Sequence, residues 1–222
     1  MKLLSVVQAR SLWLFQLSDL NPRGKAIERD LLKEIATRYA FTVAPDAKAL
    51  VEAQANNSPL IFTDGIFDNG EERITVALMI YKDGVIADTR SSTDDSDAFI
   101  TNLLTWITEE FALPAYDKIV RKKAYVGQLF VQFERSLNII NPAFEKISKF
   151  LMDKGMRVGT TPIELAVLQL WEDMPSTAQI NFRLERASGT PFAENRYFST
   201  SALSTTDHLS LLELCERELL SA

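Results

Sequence analysis

The sequence predicts an α+β fold that consists of a tandem duplication of a β-α-β-β-β-α unit, with mainly antiparallel sheets and two helices per unit on one face. Patterns typical of a strand, a helix, three strands and a helix occur in that order in each half of the 222 residues. The segments that close the halves, "SSTDDSDAFITNLLTWITEEF" and "LSTTDHLSLLELCERELL", also align without a gap, with Ser92 opposite Ser204. The alternative is convergence, since capped amphipathic helices are common.

The first half opens with an apolar and aromatic run at residues 11–17, "SLWLFQL", which is typical of a buried strand. Asn21 is a suitable helix N-cap, and Pro22 suits the first helical position, where its missing N–H is not needed. The apolar residues after Pro22 lie on one helical stripe, which predicts an amphipathic helix: Ile27, Leu31, Leu32, Ile35 and Tyr39. A second, short helix is expected after it in "DAKALVEAQ".

Three strands and a helix complete the first half. "PLIF" indicates a strand, and the turn-forming residues of "TDGIFDNGEE" indicate a loop after it. Apolar residues alternate on one face of "RITVALMIYKDGVIADTR", and Asp83-Gly84 supplies turn residues, so this segment predicts a hairpin. The closing helix is expected at about residues 94–111.

The second half repeats this order of elements. "YVGQLFVQFER" predicts a strand, and a helix is expected from Asn141-Pro142 to Gly155. "TPIELAVLQLW" predicts the next strand. "AQINFRLER" alternates with Ile180, Phe182 and Leu184 inward, and "ENRYFSTS" is its expected hairpin partner before the closing helix. We therefore predict two repeats, residues 1–115 and 116–222, which could also pack as one compact domain.

Composition limits the possible functions. The net charge of −6 and the pI near 5.0 disfavour direct binding to nucleic acid, and the densest basic run, "KIVRKK", lies on the connector between the halves. With one cysteine and one histidine the chain has no internal disulfide and no two-imidazole metal site. Neither a signal peptide nor a run of about 18 apolar residues is evident, so we expect a cytoplasmic protein without a membrane association.

Two Ser-Thr-x-Asp segments begin the closing helices. Thr93, Asp95, Thr205 and Asp207 could form an anion site at two helix N-termini, where backbone N–H groups favour negative charge. The simpler interpretation is that a hydroxyl caps each first turn and each Asp complements the helix dipole. The sequence favours capping.

Acidic residues are concentrated between Asp64 and Glu72. Asp64, Asp68 and Glu71 could supply oxygen ligands to Mg²⁺ or Ca²⁺ in a metal-dependent hydrolase. The spacing does not fit an EF-hand, because Ile66 falls where a third ligand would be needed. An exposed acidic loop is the favoured interpretation, and no cofactor is expected.

A partner-binding site is expected near the loop "ASGTPFAENRYF". Phe192 and Tyr197 flank a Gly-Thr-Pro tip and could anchor a partner, together with Arg183 on the outward face of the preceding strand. Burial against their own sheet is the alternative for the two aromatic residues. His208 and Cys215 stand two helical turns apart, too far for a nucleophile pair, and we expect an exposed His208 and a core Cys215.

These patterns favour a non-enzymatic protein-binding or assembly subunit whose partner is another protein or a second copy. The order helix, three strands, helix is similar to that of the small acidic chaperones that shield secreted bacterial effectors, in element order alone and without a shared motif. A metal-dependent hydrolase that uses Asp64–Glu72 is one alternative. A structural component of a larger phage or secretion-type assembly is the other.

Overall fold

The computed structural model describes residues 1–21, 28–56, 58–141, 143–154, 163–171 and 182–221. They form eight strands and six α-helices. In chain order these are β1 (Lys2–Leu14), α1 (Leu17–Leu20), α2 (Glu28–Arg38), α3 (Ala47–Asn56), β2 (Leu60–Asp68), β3 (Arg73–Tyr81), β4 (Gly84–Thr89), α4 (Thr93–Glu110), β5 (Lys122–Gln132), α5 (Ala143–Asp153), β6 (Val167–Leu170), β7 (Phe182–Arg186), β8 (Arg196–Ser201) and α6 (Thr205–Ser221).

The strands belong to an antiparallel sheet in the order β2-β3-β4-β1-β5-β8-β7-β6. The predicted mixture of helices with mainly antiparallel strands is therefore confirmed. None of the described helices combines the length and the apolar composition that a bilayer span requires.

The predicted hairpin between β3 and β4 is present, with Ile80 opposite Val85 and Tyr81 opposite Gly84. Gly84 is the first residue of β4 and also pairs with Leu14 of β1. A Cβ at Gly84 would lie 2.3 Å from the carbonyl oxygen of Trp13. Glycine is required here because two backbones approach closely, and the turn itself falls on residues 82–83.

Contacts divide the chain into two compact units. The N unit contains residues 8–127 and 203–205, and the C unit contains residues 1–7, 128–202 and 206–222. The predicted repeat boundary between residues 115 and 116 stays a prediction.

The N unit buries a core rich in aromatic side chains. The ring of Phe99 meets the rings of Tyr39 and Phe67 edge-on, with centroids 4.9 and 5.6 Å apart, and the ring of Phe41 lies 5.2 Å from that of Phe62. The predicted stripe of the first long helix is confirmed at Leu32, Ile35 and Tyr39, which are all buried. Ile27 and Pro22 lie outside the described residues.

The C unit has its own, smaller core. Its buried side chains come from β5, β7, β8, α6 and the chain after β5: Leu129, Val131, Phe133, Leu137, Phe182, Leu184, Tyr197 and Leu212. The Asn141 side chain accepts the backbone N–H of Ala143, the first residue of α5, at 2.9 Å, as expected of a helix cap. Pro142, Gly155 and Ile180 lie outside the described residues.

Two strands extend beyond their predicted bounds. β1 begins at Lys2 rather than at residue 11, and its polar residues Gln8 and Arg10 both bind the carboxylate of Asp88 on β4. β2 continues to Asp68 through the segment expected to be a loop, with a bulge between Phe62 and Gly65. The loop prediction for residues 63–68 was wrong because Phe62 and Phe67 are buried on the core face.

Candidate functional site

Helix α5 of the C unit has no buried residue. Its apolar side chains Ile147, Phe150 and Leu151 repeat at helical spacing and are 53%, 60% and 42% exposed. We call these three residues the α5 face. A helix packed on its own core buries such a stripe, as α2 does in the N unit, where Leu32 and Ile35 are 8% and 1% exposed. Exposed apolar clusters of this kind are typical of interaction surfaces.

The C unit also has an exposed apolar strand. β6 is the last strand in the sheet order and pairs with β7. Val167 and Leu170 of β6, and Trp171 directly after it, are 36%, 55% and 63% exposed. An edge strand of this type presents unpaired backbone groups to a further strand.

The other terminal strand, β2, has a partly covered edge. Val43 and Thr63 exchange two backbone hydrogen bonds, at 3.0 and 3.4 Å. The bulge after Phe62 and the positive φ of 54° at Asp64 interrupt the regular edge further. Among the described strands, β6 is therefore the better template for strand addition.

The structure brings two of the predicted helix-terminal residues together. The backbone N–H of Thr93 donates to Oγ1 of Thr205 at 3.0 Å, and the N–H of Thr205 donates to Oγ1 of Thr93 at 2.9 Å. Both residues are buried and both belong to the N unit. An anion would have to compete with these two hydrogen bonds.

The predicted aspartates at these termini lie in different surroundings. Ser92 caps α4 by accepting the N–H of Asp95, and the Asp95 carboxylate accepts from Ser92 Oγ and from Asn69 Nδ2, both at 2.8 Å. Burial opposes the charge of Asp95, but hydrogen bonds that include those from Ser92 and Asn69 outweigh it and lower its pKa. Asp207 is exposed.

The predicted acidic ligands are spread along β2 and the turn after it. Asp68 accepts the N–H of Gly70 at 3.0 Å, and Thr42 Oγ1 lies 3.5 Å from Asp64. Glu71 is exposed, and its N–H donates to Asn69 Oδ1 at 3.0 Å. No group of three or more His, Cys, Asp or Glu side chains within the described ranges is arranged to hold a metal ion.

Two of the predicted partner-binding residues, Phe192 and Tyr197, have their rings against the side chain of Arg186. Arg186 pairs with Glu164, and its guanidinium lies 4.3 Å from the ring centre of Phe192, which is half-buried. Tyr197 is fully buried and its hydroxyl accepts the N–H of Leu137 at 3.1 Å. Tyr197 is thus corrected from a surface anchor to a core residue.

Arg183, the third predicted partner-binding residue, lies on the same strand as Arg186. It is half-buried and pairs with Glu185 two residues along the strand. Of the three predicted residues, Arg183 and Phe192 keep part of their surface exposed.

His208 is buried, so the expectation of an exposed histidine was wrong. Nε2 of His208 lies 2.8 Å from Ser199 Oγ, and Nδ1 has no hydrogen-bond partner. Burial lowers the pKa of His208 to about 4. Cys215 is half-buried, and burial raises the pKa of its thiol.

The sequence did not identify a polar cluster around Asp97 on α4. Its carboxylate accepts from Trp13 Nε1 at 2.7 Å, from Tyr125 OH at 2.9 Å and from Ser11 Oγ. The ammonium of Lys123 lies 3.7 Å from Asp97 and 3.5 Å from the ring centre of Trp13. These donors already occupy the carboxylate, which is typical of a structural network.

The described surface thus offers two exposed apolar features, the α5 face and the β6 edge, and several polar clusters whose members bind one another. The clusters around Asp97 and Arg186 join distant segments and hold them together. Helix α5, by contrast, has no buried residue. No protein-family model matches the chain, and no curated protein sequence shows significant similarity to it.

Proposed function

We propose that this chain is a non-enzymatic protein-binding subunit, built by tandem duplication, whose α5 face is covered by another protein. The exposure of Ile147, Phe150 and Leu151 is the observation that supports the proposal most directly. Side chains of this size each contribute about 1.5–3 kcal/mol when buried, so a partner that covers them gains substantial binding energy.

The duplication is supported by the order of the strands. Followed from one edge the sheet runs β2, β3, β4, β1, and followed from the other edge it runs β6, β7, β8, β5. These are the strands that the two predicted repeats place in equivalent positions. The bounds of β4 and β8, and the first residues of α4 and α6, also differ by the same spacing as Thr93 and Thr205, 112 residues.

The difference between the two equivalent helices supports a partner for α5. In the first predicted repeat α2 buries Leu32 and Ile35, whereas in the second repeat α5 leaves Ile147 and Phe150 exposed. The two equivalent helices therefore differ in how much of their apolar stripe the described chain buries. We infer that the burial missing at α5 is supplied by a separate polypeptide.

The β6 edge gives this partner a second contact. A strand added beside β6 would pair its backbone with that of Val167–Leu170 and cover the side chain of Trp171. The same edge would allow a second copy to pair through β6, which is the assembly alternative.

Site-specific photocrosslinking in the natural host tests the proposal. A photoreactive residue in place of Phe150 should give one discrete crosslinked protein, whereas the same residue at Val51 should not. Val51 is a matched control because it is an apolar helical residue that is 65% exposed, in the N unit.

The crosslinked protein must then bind in purified form through the same face. Phe150→Glu should weaken its affinity at least tenfold, whereas Val51→Glu should leave it unchanged. Equal affinity of the two variants would refute the proposal. A crosslink between two copies of this chain would instead support the assembly alternative.

A further inference from the structure

The N unit contains an apolar cavity of about 170 Å³. Helices α1, α2, α3 and α4 and strands β2, β3 and β4 contribute to its wall, together with Phe15 after β1. Deep in the wall are fully buried side chains such as Ile35, Leu103 and Leu104. Elements of regular secondary structure therefore form most of the cavity wall.

The cavity is suited to an apolar guest. Only Ser58, Tyr81 and Lys82 among the described lining residues have polar side chains, and the remainder are hydrocarbon or aromatic. Water needs two to four polar partners to occupy a cavity stably, and a hydrocarbon-lined space of about 150 Å³ stays dry and accepts benzene. The available volume is of the same size.

The polar lining residues indicate how a guest would enter. Ser58 and Lys82 are exposed, whereas the opposite wall at Leu103 and Leu104 is buried. The end of the cavity beside Ser58 and Lys82 consequently reaches the surface of the N unit. A guest could enter there without unfolding the core.

We propose that this cavity binds a small neutral molecule that contains one aromatic ring or a short branched hydrocarbon. A long acyl chain exceeds the volume of about 170 Å³. A charged group would lose its hydration among the apolar side chains without gaining a partner in the interior. Phe15 provides a ring against which an aromatic guest can pack edge-on.

Substitution of Ala53 tests the site. Ala53 lies on α3, lines the cavity and is buried. Ala53→Leu places three additional carbon atoms in the cavity and should abolish binding. Ala55→Leu is the matched control, because Ala55 lies on the same helix and is exposed.

The probes are toluene, indole and hexanoate. Their binding to the full chain is measured by ligand-detected NMR and by thermal unfolding. Toluene or indole should bind saturably to the unsubstituted protein and to Ala55→Leu and raise their Tm. Ala53→Leu should bind at least tenfold more weakly. If Ala53→Leu does not fold, Leu50→Phe fills the cavity from the same helix and should give the same loss.

Three outcomes would overturn the inference. The first is the absence of saturable binding of toluene and indole to the unsubstituted protein, and the second is equal binding to a folded cavity-filling variant. The third is binding of hexanoate as tight as that of the neutral probes, which would exclude a site specific for neutral guests. None of these outcomes depends on the α5 face, so this inference and the proposed function can fail separately.

Discussion

Thr93 and Thr205 cap one another, since each hydroxyl oxygen accepts the backbone N–H of the other residue. Both N–H groups lie in the first turn of a helix, where no carbonyl of the same helix can accept them. Thr93→Val keeps the shape of the side chain but leaves the N–H of Thr205 buried without an acceptor. We expect each Val variant to lose about 1–3 kcal/mol of unfolding free energy, measured by urea denaturation.

The double variant distinguishes a coupled pair from two independent caps. Because the two hydrogen bonds hold the same two backbones, the combined loss at Thr93 and Thr205 should differ from the sum of the single losses by at least about 0.5 kcal/mol. Serine in place of Thr93 or Thr205 keeps the hydroxyl acceptor, so these variants should retain most of the stability of the unsubstituted protein. Thr206→Val, at an exposed neighbouring position, should have little effect, and an equal loss there would contradict the pairing.

The sequence predicted the elements around this pair better than the contact itself. β4, α4, β8 and α6 were all expected, since alternation, turn residues at Asp83-Gly84 and capping residues are local signals. The hypothesis of a shared anion site placed Thr93 and Thr205 together, but no local pattern predicts that each hydroxyl accepts the backbone N–H of the other residue. The equivalence of the two residues in the alignment was the one available indication.

Where the prediction failed, distant partners determine the structure. Residues 2–10 were not expected to belong to β1, and two of them, Gln8 and Arg10, bind Asp88 on the distant strand β4. His208 in the first turn of α6 was expected at the surface, but the packing of Phe182 and Ser199 around it buries it. The donors to Asp97 come from β1 and β5, so the cluster has no signature within one segment.

Protonation of His208 should make the protein sensitive to mild acid. The folded pKa is about 4, below the unfolded value near 6.5, so the unfolded chain takes up a proton first as the pH falls. The contribution of His208 to the free energy of unfolding is therefore fully present above about pH 6.5. Below that pH the free energy of unfolding decreases by about 1.4 kcal/mol per pH unit, which amounts to about 2 kcal/mol by pH 5. Urea denaturation between pH 7 and pH 5 measures this slope.

Variants at two positions assign the slope to the imidazole. His208→Leu should remove most of it, which is a clean comparison because the chain has one histidine. Ser199→Ala should retain it, since burial rather than the hydrogen bond lowers the pKa of His208. A slope unchanged in His208→Leu would show that another group is responsible.

The hydroxyl of Tyr125 should lose its proton only at high pH in the folded protein. Burial, followed by the hydrogen bond to Asp97 and the negative charges of Asp97 and Asp94, raises its pKa to about 12. The contribution of Tyr125 to stability is present below pH 10 and is lost as the pH rises from 10 to 12. The measurement is ultraviolet titration of the unsubstituted protein and of Tyr125→Phe. The difference between the two curves is the titration curve of Tyr125.

Substitution of the carboxylates should separate these causes. Asp97→Asn removes a charge and weakens the hydrogen bond, so the pKa of Tyr125 should fall toward 10 but stay above it because burial remains. Asp94→Asn should have the smaller effect, since Asp94 acts through its charge alone. A larger change in Asp94→Asn than in Asp97→Asn would contradict the observed hydrogen bond.

Arg186 should be harder to replace than Arg183, the other arginine of β7. Its side chain is 7% exposed, pairs with Glu164 and also donates to the carbonyl oxygens of Leu165 and Phe192, at 3.4 and 3.1 Å. Lysine retains the charge but lacks the planar fork that reaches these acceptors together. Arg186→Lys should therefore reduce the unfolding free energy by about 2–4 kcal/mol.

Arg183→Lys provides the matched control for this loss. Arg183 is on the same strand, and its ion pair with Glu185 is about one-third exposed, at 34% and 31%. Exposed pairs contribute about 0–1 kcal/mol, so Arg183→Lys should change stability by less than about 1 kcal/mol. Urea denaturation of both variants at pH 7 measures the difference. If Arg186→Lys lost as little unfolding free energy as Arg183→Lys, the charge of Arg186 rather than its set of directed hydrogen bonds would stabilise the segments around it.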